Sequence, residues 1–326
     1  MHHPSPDPSK VLLIKAKGGF GNRMLSAVTG LVYADLTGRT PVIDWRDGVY
    51  AALGENAYPL LFDTPLTGDP AAYDAARDVV PAIWAGQMEA DPSHIIETTM
   101  KHRHSDPRVY REFCVALERA ETETAVAVFW SYLPKMPRLR RLLRRDARFA
   151  GRSDREIFTE YLERYFRPNA RVRMEVARLL EEMAPPRLGV HIRYTDMKVP
   201  LERIEQAMGR WLAAHPGASI FLATDSAMVQ ERIQAGFERV HVAPKYLAED
   251  GVRLHLRDAG GDAVFEAENA MIDMWALAGC DHLIYSSQST FSSASALLGG
   301  LRRDQLHDVD RFNLAVQLKL ILRNRL

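Results

Sequence analysis

Apolar residues follow two rhythms along this chain. Short unbroken runs of aliphatic and β-branched residues alternate with segments where apolar positions recur every three to four residues, the pattern of sheet strands covered by helices. The first run, Val11–Ala16, passes through Lys17-Gly18-Gly19-Phe20-Gly21-Asn22-Arg23 into a helical pattern over Asn22–Thr37. Gly38-Arg39 stops that helix before a second strand, Thr40–Asp44, which predicts a βαβ opening. From Gly48 to Asp106 the pattern loosens into Pro- and Gly-punctuated loops and short helices, followed by a strand at Ala125–Tyr132 and helical periodicity from Pro134 to Ala184. Pro185-Pro186 interrupts the helix and marks a domain boundary, because the residue before proline avoids helical backbone.

A second series then begins. Strands are expected at Leu188–Arg193, Ser219–Thr224, Val240–Ala243 and His282–Tyr285, with helices at Leu201–Ala214, Ala227–Gly236, Ala263–Ala278 and Ser289–Leu298. A final helix, about Arg311–Arg323, has no strand after it and is free to pack back on either half. The fold class expected is α/β and GT-B-like: two Rossmann-like domains, 11–184 and 185–326, facing a cleft. No internal repeat or low-complexity segment is present.

Composition narrows the function classes. Of 326 residues, 42 are Lys or Arg and 42 are Asp or Glu, so no net field steers the protein to nucleic acid, and anionic ligands must be met locally. The two cysteines, Cys114 and Cys280, lie in apolar patterns and are expected as buried thiols of a reducing compartment. Met1–Lys10 lacks an apolar core and is expected as a short disordered lead, not a signal peptide. The Leu314–Leu322 run is interrupted by Gln317 and Lys319 and is too short to span a membrane, so a soluble cytoplasmic protein is expected. Six arginines within 138–148 form either a solvated helix face or a dock for a membrane surface or an anionic acceptor.

Candidate chemistry gathers where strands end. The Gly19-Phe20-Gly21 turn aims backbone N–H groups and a helix dipole upward, a phosphate or sugar cradle, although a ligand-free strand-to-helix turn has the same look. It completes neither the dinucleotide G-x-G-x-x-G nor a P-loop. His191-Ile192-Arg193-Tyr194-Thr195-Asp196 ends a strand with His191 and Arg193 on one face. A fixed guanidinium there suits a diphosphate, or else an ion pair with Asp196 or Asp225. Asp225, in Thr224-Asp225-Ser226, is either a sugar-hydroxyl acceptor or part of a helix cap. Ser286-Ser287-Gln288-Ser289 supplies more hydroxyls than a helix start needs, which favours phosphate binding. Asp273 sits in an apolar segment and needs a partner that a base edge can provide. Metal chemistry is poorly supported. Asp308-Val309-Asp310 reads as a cap or turn, and His102 and His104 alternate with cations.

In order, Gly19-Phe20-Gly21-Asn22, His191 to Asp196, Phe221 to Ser226, Asn269 to Leu277 and Ser286 to Phe291 resemble the motifs of GDP-fucose-dependent fucosyltransferases. The resemblance is nearest to the rhizobial NodZ and α1,6-fucosyltransferase family, and Leu36 to Arg46 and Val242 to Lys245 add to it. It implies inverting transfer of fucose from GDP-fucose to a glycan or lipid-linked oligosaccharide acceptor, with no required metal and no other cofactor. Arg193 would hold the β-phosphate, His191 and Asp273 would contact guanine, and Ser286, Ser287 and Gln288 would complete the diphosphate site. Asp225 would sit beside the donor, with Gly19 and Gly21 in the opposite wall and Asn22 near the glycosidic oxygen. Two departures stand out. Tyr194 replaces the second arginine of the α1,6 enzymes, and Met197 separates Asp196 from Lys198. Glu202 is offset by one from the family's carboxylate and is a candidate base, as is Asp44. The alternatives are an inverting transferase for a different nucleotide sugar and a non-catalytic GDP- or sugar-binding protein.

Overall fold

The computed structural model describes residues 7–99, 107–195, 199–244, 262–314, 316–318 and 322. His102, His104, Asp196, Met197, Lys198, Lys245 and, of the expected final helix, Ala315, Lys319, Leu320, Ile321 and Arg323 lie outside the described residues. Backbone contacts divide the chain into two units. The first comprises residues 1–18, 22–167 and 319–326, and the second comprises 19–21 and 168–318. The break precedes the Pro185-Pro186 pair because the helix before that pair packs on the second unit.

The first unit runs β1 (Asp7–Lys15), α1 (Phe20–Thr37), β2 (Arg39–Asp44), α2 (Ala57–Leu61), β3 (Phe62–Asp63), β4 (Val79–Val80), α3 (Pro92–Thr99), α4 (Pro107–Glu112), β5 (Val126–Trp130), α5 (Met136–Leu143) and α6 (Asp154–Tyr165), with β6 (Arg167–Pro168) at the boundary. Its parallel sheet has the order β2-β1-β5-β4. Residues 20–34 of α1 are all buried, as its apolar character on every side demands. Val11, Leu13, Val42, Val128 and Trp130 face Trp84, Ile95, Ile96 and Phe113 in one core. Asp7–Lys10, expected as a disordered lead, instead extends β1, and the Lys10 ammonium donates to the Glu123 carbonyl at 3.0 Å.

In the second unit, α7 (Ala170–Glu181) precedes β7 (Arg187–Ile192), α8 (Leu201–Ala214), β8 (Ser219–Thr224), α9 (Ala227–Gly236), β9 (Val240–His241), α10 (Ala263–Ala278), β10 (His282–Tyr285), α11 (Thr290–Leu298) and β11 (Leu306–Asp308). All strand pairs are parallel, in the order β11-β10-β7-β8-β9. Helix α7 packs on α10, where Arg171 pairs with Glu268 at 2.7 Å and Asn169 donates to the same carboxylate at 2.6 Å. Leu188, Val190, Ile192, Ile220, Leu222 and Ile284 fill the core with Ile204, Met208, Val229 and Ile233.

Cys114 and Cys280 are both buried and unbridged, and burial pushes each thiol well above its ordinary value. Among the described residues no helix is long and apolar enough to cross a membrane. The basic segment forms α5 and its continuation. Met136, Leu139 and Leu143 are buried there, and Arg138, Arg140 and Arg148 pair with Glu118, Asp154 and Asp146.

Candidate functional site

Strand order places the ligand site of the second unit. The chain leaves β7 toward β8 and β9 on one side, and β10 and β11 occupy the other side. Connections therefore diverge between β7 and β10, and the crevice beyond the carboxyl ends of those two strands is where such sheets bind ligands. His191, Arg193, Tyr194 and Thr195 lie at the end of β7, and Ser286 to Ser289 lie between β10 and α11. Of the sequence-predicted residues, His191, Arg193 and Ser286 to Ser289 thus lie at the switch point.

Hydrogen bonds join the two strand ends. His191 Nδ1 lies 2.5 Å from the Ser292 hydroxyl on α11, and its ring stacks on Phe291 with centroids 5.1 Å apart. Asp225, just beyond β8, accepts from the backbone N–H groups of Tyr194 and Thr195 at 2.7 and 3.3 Å and from the Thr195 hydroxyl at 2.6 Å. Its carboxylate therefore shapes the turn that carries Arg193. Ser226, not Asp225, caps α9. Arg193 is half-buried directly after β7, and Asp273 is buried on α10, one turn beyond Asn269.

Within the Ser286–Ser289 loop, one buried hydroxyl, that of Ser289, is unpaired. Ser286 donates a short hydrogen bond to Asp310 and accepts from the Gln288 backbone N–H at 3.2 Å, while the Gln288 amide donates to Asp310 at 3.0 Å. Ser289 occupies the cap position of α11 without making a cap bond, and its hydroxyl is buried with no hydrogen-bond partner. A hydroxyl desolvated at a helix N-terminus and left unpaired is costly unless an anion arrives to use it. The turn residues Gly19–Gly21 also belong to this unit, where Gly21 lies against the backbone of Thr290 and Phe291.

In the first unit, the residues around the glycine turn are rigidly held. Arg23 is buried at 1 % exposure, donates to the Gly18 carbonyl at 2.6 Å, and forks onto Asp47 at 3.0 and 2.6 Å. Gly18 has φ of +76°, a backbone that a side chain would strain. The buried Asn22 side chain lies beside it. Asp44 is not free to serve as a base. Burial alone would raise its carboxyl, but the Lys15 ammonium at 2.6 Å and the Arg46 guanidinium at 2.9 Å override this and hold it below the ordinary value.

Glu202, the other candidate base, stands apart from the bonded cluster. It opens α8 with its side chain 72 % exposed, 3.9 Å from Arg232, whose closer partner is Glu205 at 2.6 Å.

Sequence reasoning passed over three groups. Asp308 and Asp310 accept hydrogen bonds from Ser286, Ser287 and Gln288 of the serine loop. Lys17 lies over the rings of Trp130 and Tyr110 at 4.4 and 5.4 Å, and burial pushes its ammonium down to about 8 against the opposing pull of Asp91. The apolar neighbours Tyr110 and Trp130 are far from Lys17 in sequence, so no local pattern announced that shift.

No family model matches the chain. It is similar to Nodulation protein Z of Azorhizobium caulinodans, 26% identical over 332 residues that cover 91% of this chain and 92% of that protein. Nodulation protein Z of Bradyrhizobium diazoefficiens is 24% identical over 302 residues, 84% of this chain and 75% of that protein. The crystal structure of NodZ α-1,6-fucosyltransferase soaked with GDP-fucose superposes with a TM-score of 0.66 at 23% identity, covering 93% of this chain and 96% of that one. The NodZ-like character read from the ordered motifs is borne out along about nine-tenths of the chain, and the α/β fold class is shared.

Proposed function

We propose that this NodZ-like chain is a glycosyltransferase that moves fucose from GDP-fucose to a glycan hydroxyl. The observation that carries the reading is the switch-point cluster, where His191 of β7 is bonded to Ser292 of α11 and the Ser289 hydroxyl is buried and unpaired at the helix start. Transfer develops positive charge on the sugar ring and negative charge on departing GDP. Groups aimed at the leaving phosphate act more strongly on that transition state than on the bound donor.

Arg193 neutralises the β-phosphate, and Ser287, Ser289 and the first N–H groups of α11 complete the cradle. Ser286 and Gln288 contribute by shape, since their donors are engaged by Asp310. His191 and Asp273 contact guanine, and Asp225 acts on the donor by fixing the Arg193 turn. Asn22 approaches the glycosidic oxygen. Glu202 is the base. Attack from the face opposite GDP inverts the anomeric carbon, and the fixed guanidinium performs the neutralisation that a metal supplies elsewhere. Gly19 and Gly21 pack the glycine turn close to the donor loop, and the acceptor is a glycan or lipid-linked oligosaccharide.

Calorimetric titration tests the nucleotide assignment. GDP binds with UDP and CMP much weaker, and Arg193→Ala removes most of the GDP affinity. Preference for UDP, or an Arg193→Ala variant with full affinity, rejects the reading.

A further inference from the structure

The acidic pair Asp308-Val309-Asp310 has the spacing that many nucleotide-sugar enzymes use for a metal, yet its oxygens here are turned to protein donors. Strand β11 runs parallel to β10 with Asp308 opposite Tyr285, and the Val309 N–H donates to the Tyr285 carbonyl at 2.9 Å. That register carries the pair alongside the loop that follows β10. Asp308 Oδ1 accepts from the backbone N–H of Ser287 and of Asp310, each at 3.0 Å. Asp310 Oδ2 accepts from the Ser286 hydroxyl and from the Gln288 amide at 3.0 Å. Asp310 is 3 % exposed, and no ion pair with it is found among the described residues.

We propose that Asp308 and Asp310 are positioning residues that clip the Ser286–Ser289 loop into its phosphate-binding shape, through one carboxylate oxygen each. Negative charge is not what the clip uses. Both bonds at each residue converge on a single oxygen, so an amide oxygen in the same place can accept them. A carboxylate that held a metal would lose its function on the same change, because an amide is a far weaker ligand for a hard cation. The proposal rests on the donor-site reading given above and adds residues that touch no ligand themselves. The clip engages the Ser286 hydroxyl and pins Ser287 by its backbone, so the Ser287 and Ser289 hydroxyls are not bonded to either carboxylate.

Four single variants test it: Asp308→Ala, Asp308→Asn, Asp310→Ala and Asp310→Asn. In each, GDP affinity, the KM for donor and for acceptor, and amide hydrogen exchange at Ser287 are measured with and without a chelator. The two alanine variants lose about tenfold or more in GDP affinity, equivalent to about 1.4 kcal/mol. They raise the donor KM while leaving the acceptor KM unchanged. The two asparagine variants stay within about threefold of the parent, and chelator changes none of the four. Ser287 exchange accelerates in Asp308→Ala and not in Asp308→Asn, a readout that needs no ligand and holds if an alanine variant is too unstable to titrate. An alanine variant that folds with parental affinity, or an asparagine variant as impaired as alanine, overturns the proposal. Failure of the parent protein itself to bind GDP instead rejects the donor-site reading.

Discussion

Gly21→Ala asks how closely the glycine turn must approach the start of α11. A Cβ on Gly21 would fall 2.3 Å from the Thr290 carbonyl carbon and 2.4 Å from both the Thr290 oxygen and the Phe291 nitrogen. Those are backbone atoms and cannot rotate away. Ordinary contact needs a separation near 3.4 Å, so one side must yield by about 1 Å, at the usual overpacking cost of about 1–3 kcal/mol. The displaced segment begins α11, directly after the unpaired Ser289 hydroxyl. Binding groups need placement to within about 0.5 Å, and a 1 Å error is worth up to about 100-fold in turnover. Because Gly21 has no positive φ, alanine meets no backbone strain, and the effect is steric alone.

Steady-state turnover of GDP-fucose and GDP calorimetry, alongside a thermal melt, read the outcome. Turnover falls by at least about tenfold while the fold is retained. Gly209→Ala, on α8 with open space around it, is the control and gains stability slightly, since alanine favours helix by about 1 kcal/mol. Parental turnover and affinity in a folded Gly21→Ala protein would show that this close approach is not needed for donor binding.

Three further outcomes rest on local geometry and burial. Asp225→Ala releases the Tyr194 and Thr195 bonds and weakens GDP binding about tenfold, whereas Asp225→Asn, which keeps an oxygen for both backbone N–H groups, stays near the parent in the same titration. Lys17, with its ammonium pushed down to about 8, is about half uncharged at pH 8, against roughly 0.4 % for an ordinary lysine. Limited acetylation at pH 8 read by peptide mass spectrometry therefore labels Lys17 before other lysines, and labelling no faster than the rest refutes the shift. The unfolded chain binds the extra proton between about 8 and 10.4, so Lys17 makes stability rise with pH across that window, and Lys17→Met flattens the slope.

Much of this architecture is written locally. Apolar runs mark β1, β5 and β8, because strands covered on both faces must be apolar, and shorter apolar stretches mark β7 and β10. Helices α8 to α10 fall at the expected positions, since capping residues and periodicity are properties of neighbouring residues. What escaped depends on partners distant in the chain. Strand β11 is three residues long with one apolar position, and only pairing with β10 defines it. The expected cap or turn at Asp308-Val309-Asp310 begins only at Val309, since Asp308 closes β11, and both carboxylates bond to residues more than twenty positions earlier, which no local pattern shows. Asp44 looked like an available carboxylate because Lys15 and Arg46 converge on it only in the folded sheet. The lead at Asp7–Lys10 looked disordered because its residues are polar, as sheet extensions near solvent are.

The most direct test of the account is product formation from GDP-fucose by the full chain, with chitooligosaccharides, lipopolysaccharide cores and polysaccharide fragments as acceptors. Transfer of fucose to one acceptor class, with GDP released in equal amount and lost in Arg193→Ala, is the predicted result. GDP bound without donor hydrolysis or transfer to any acceptor would contradict it and leave a binding protein on a transferase scaffold.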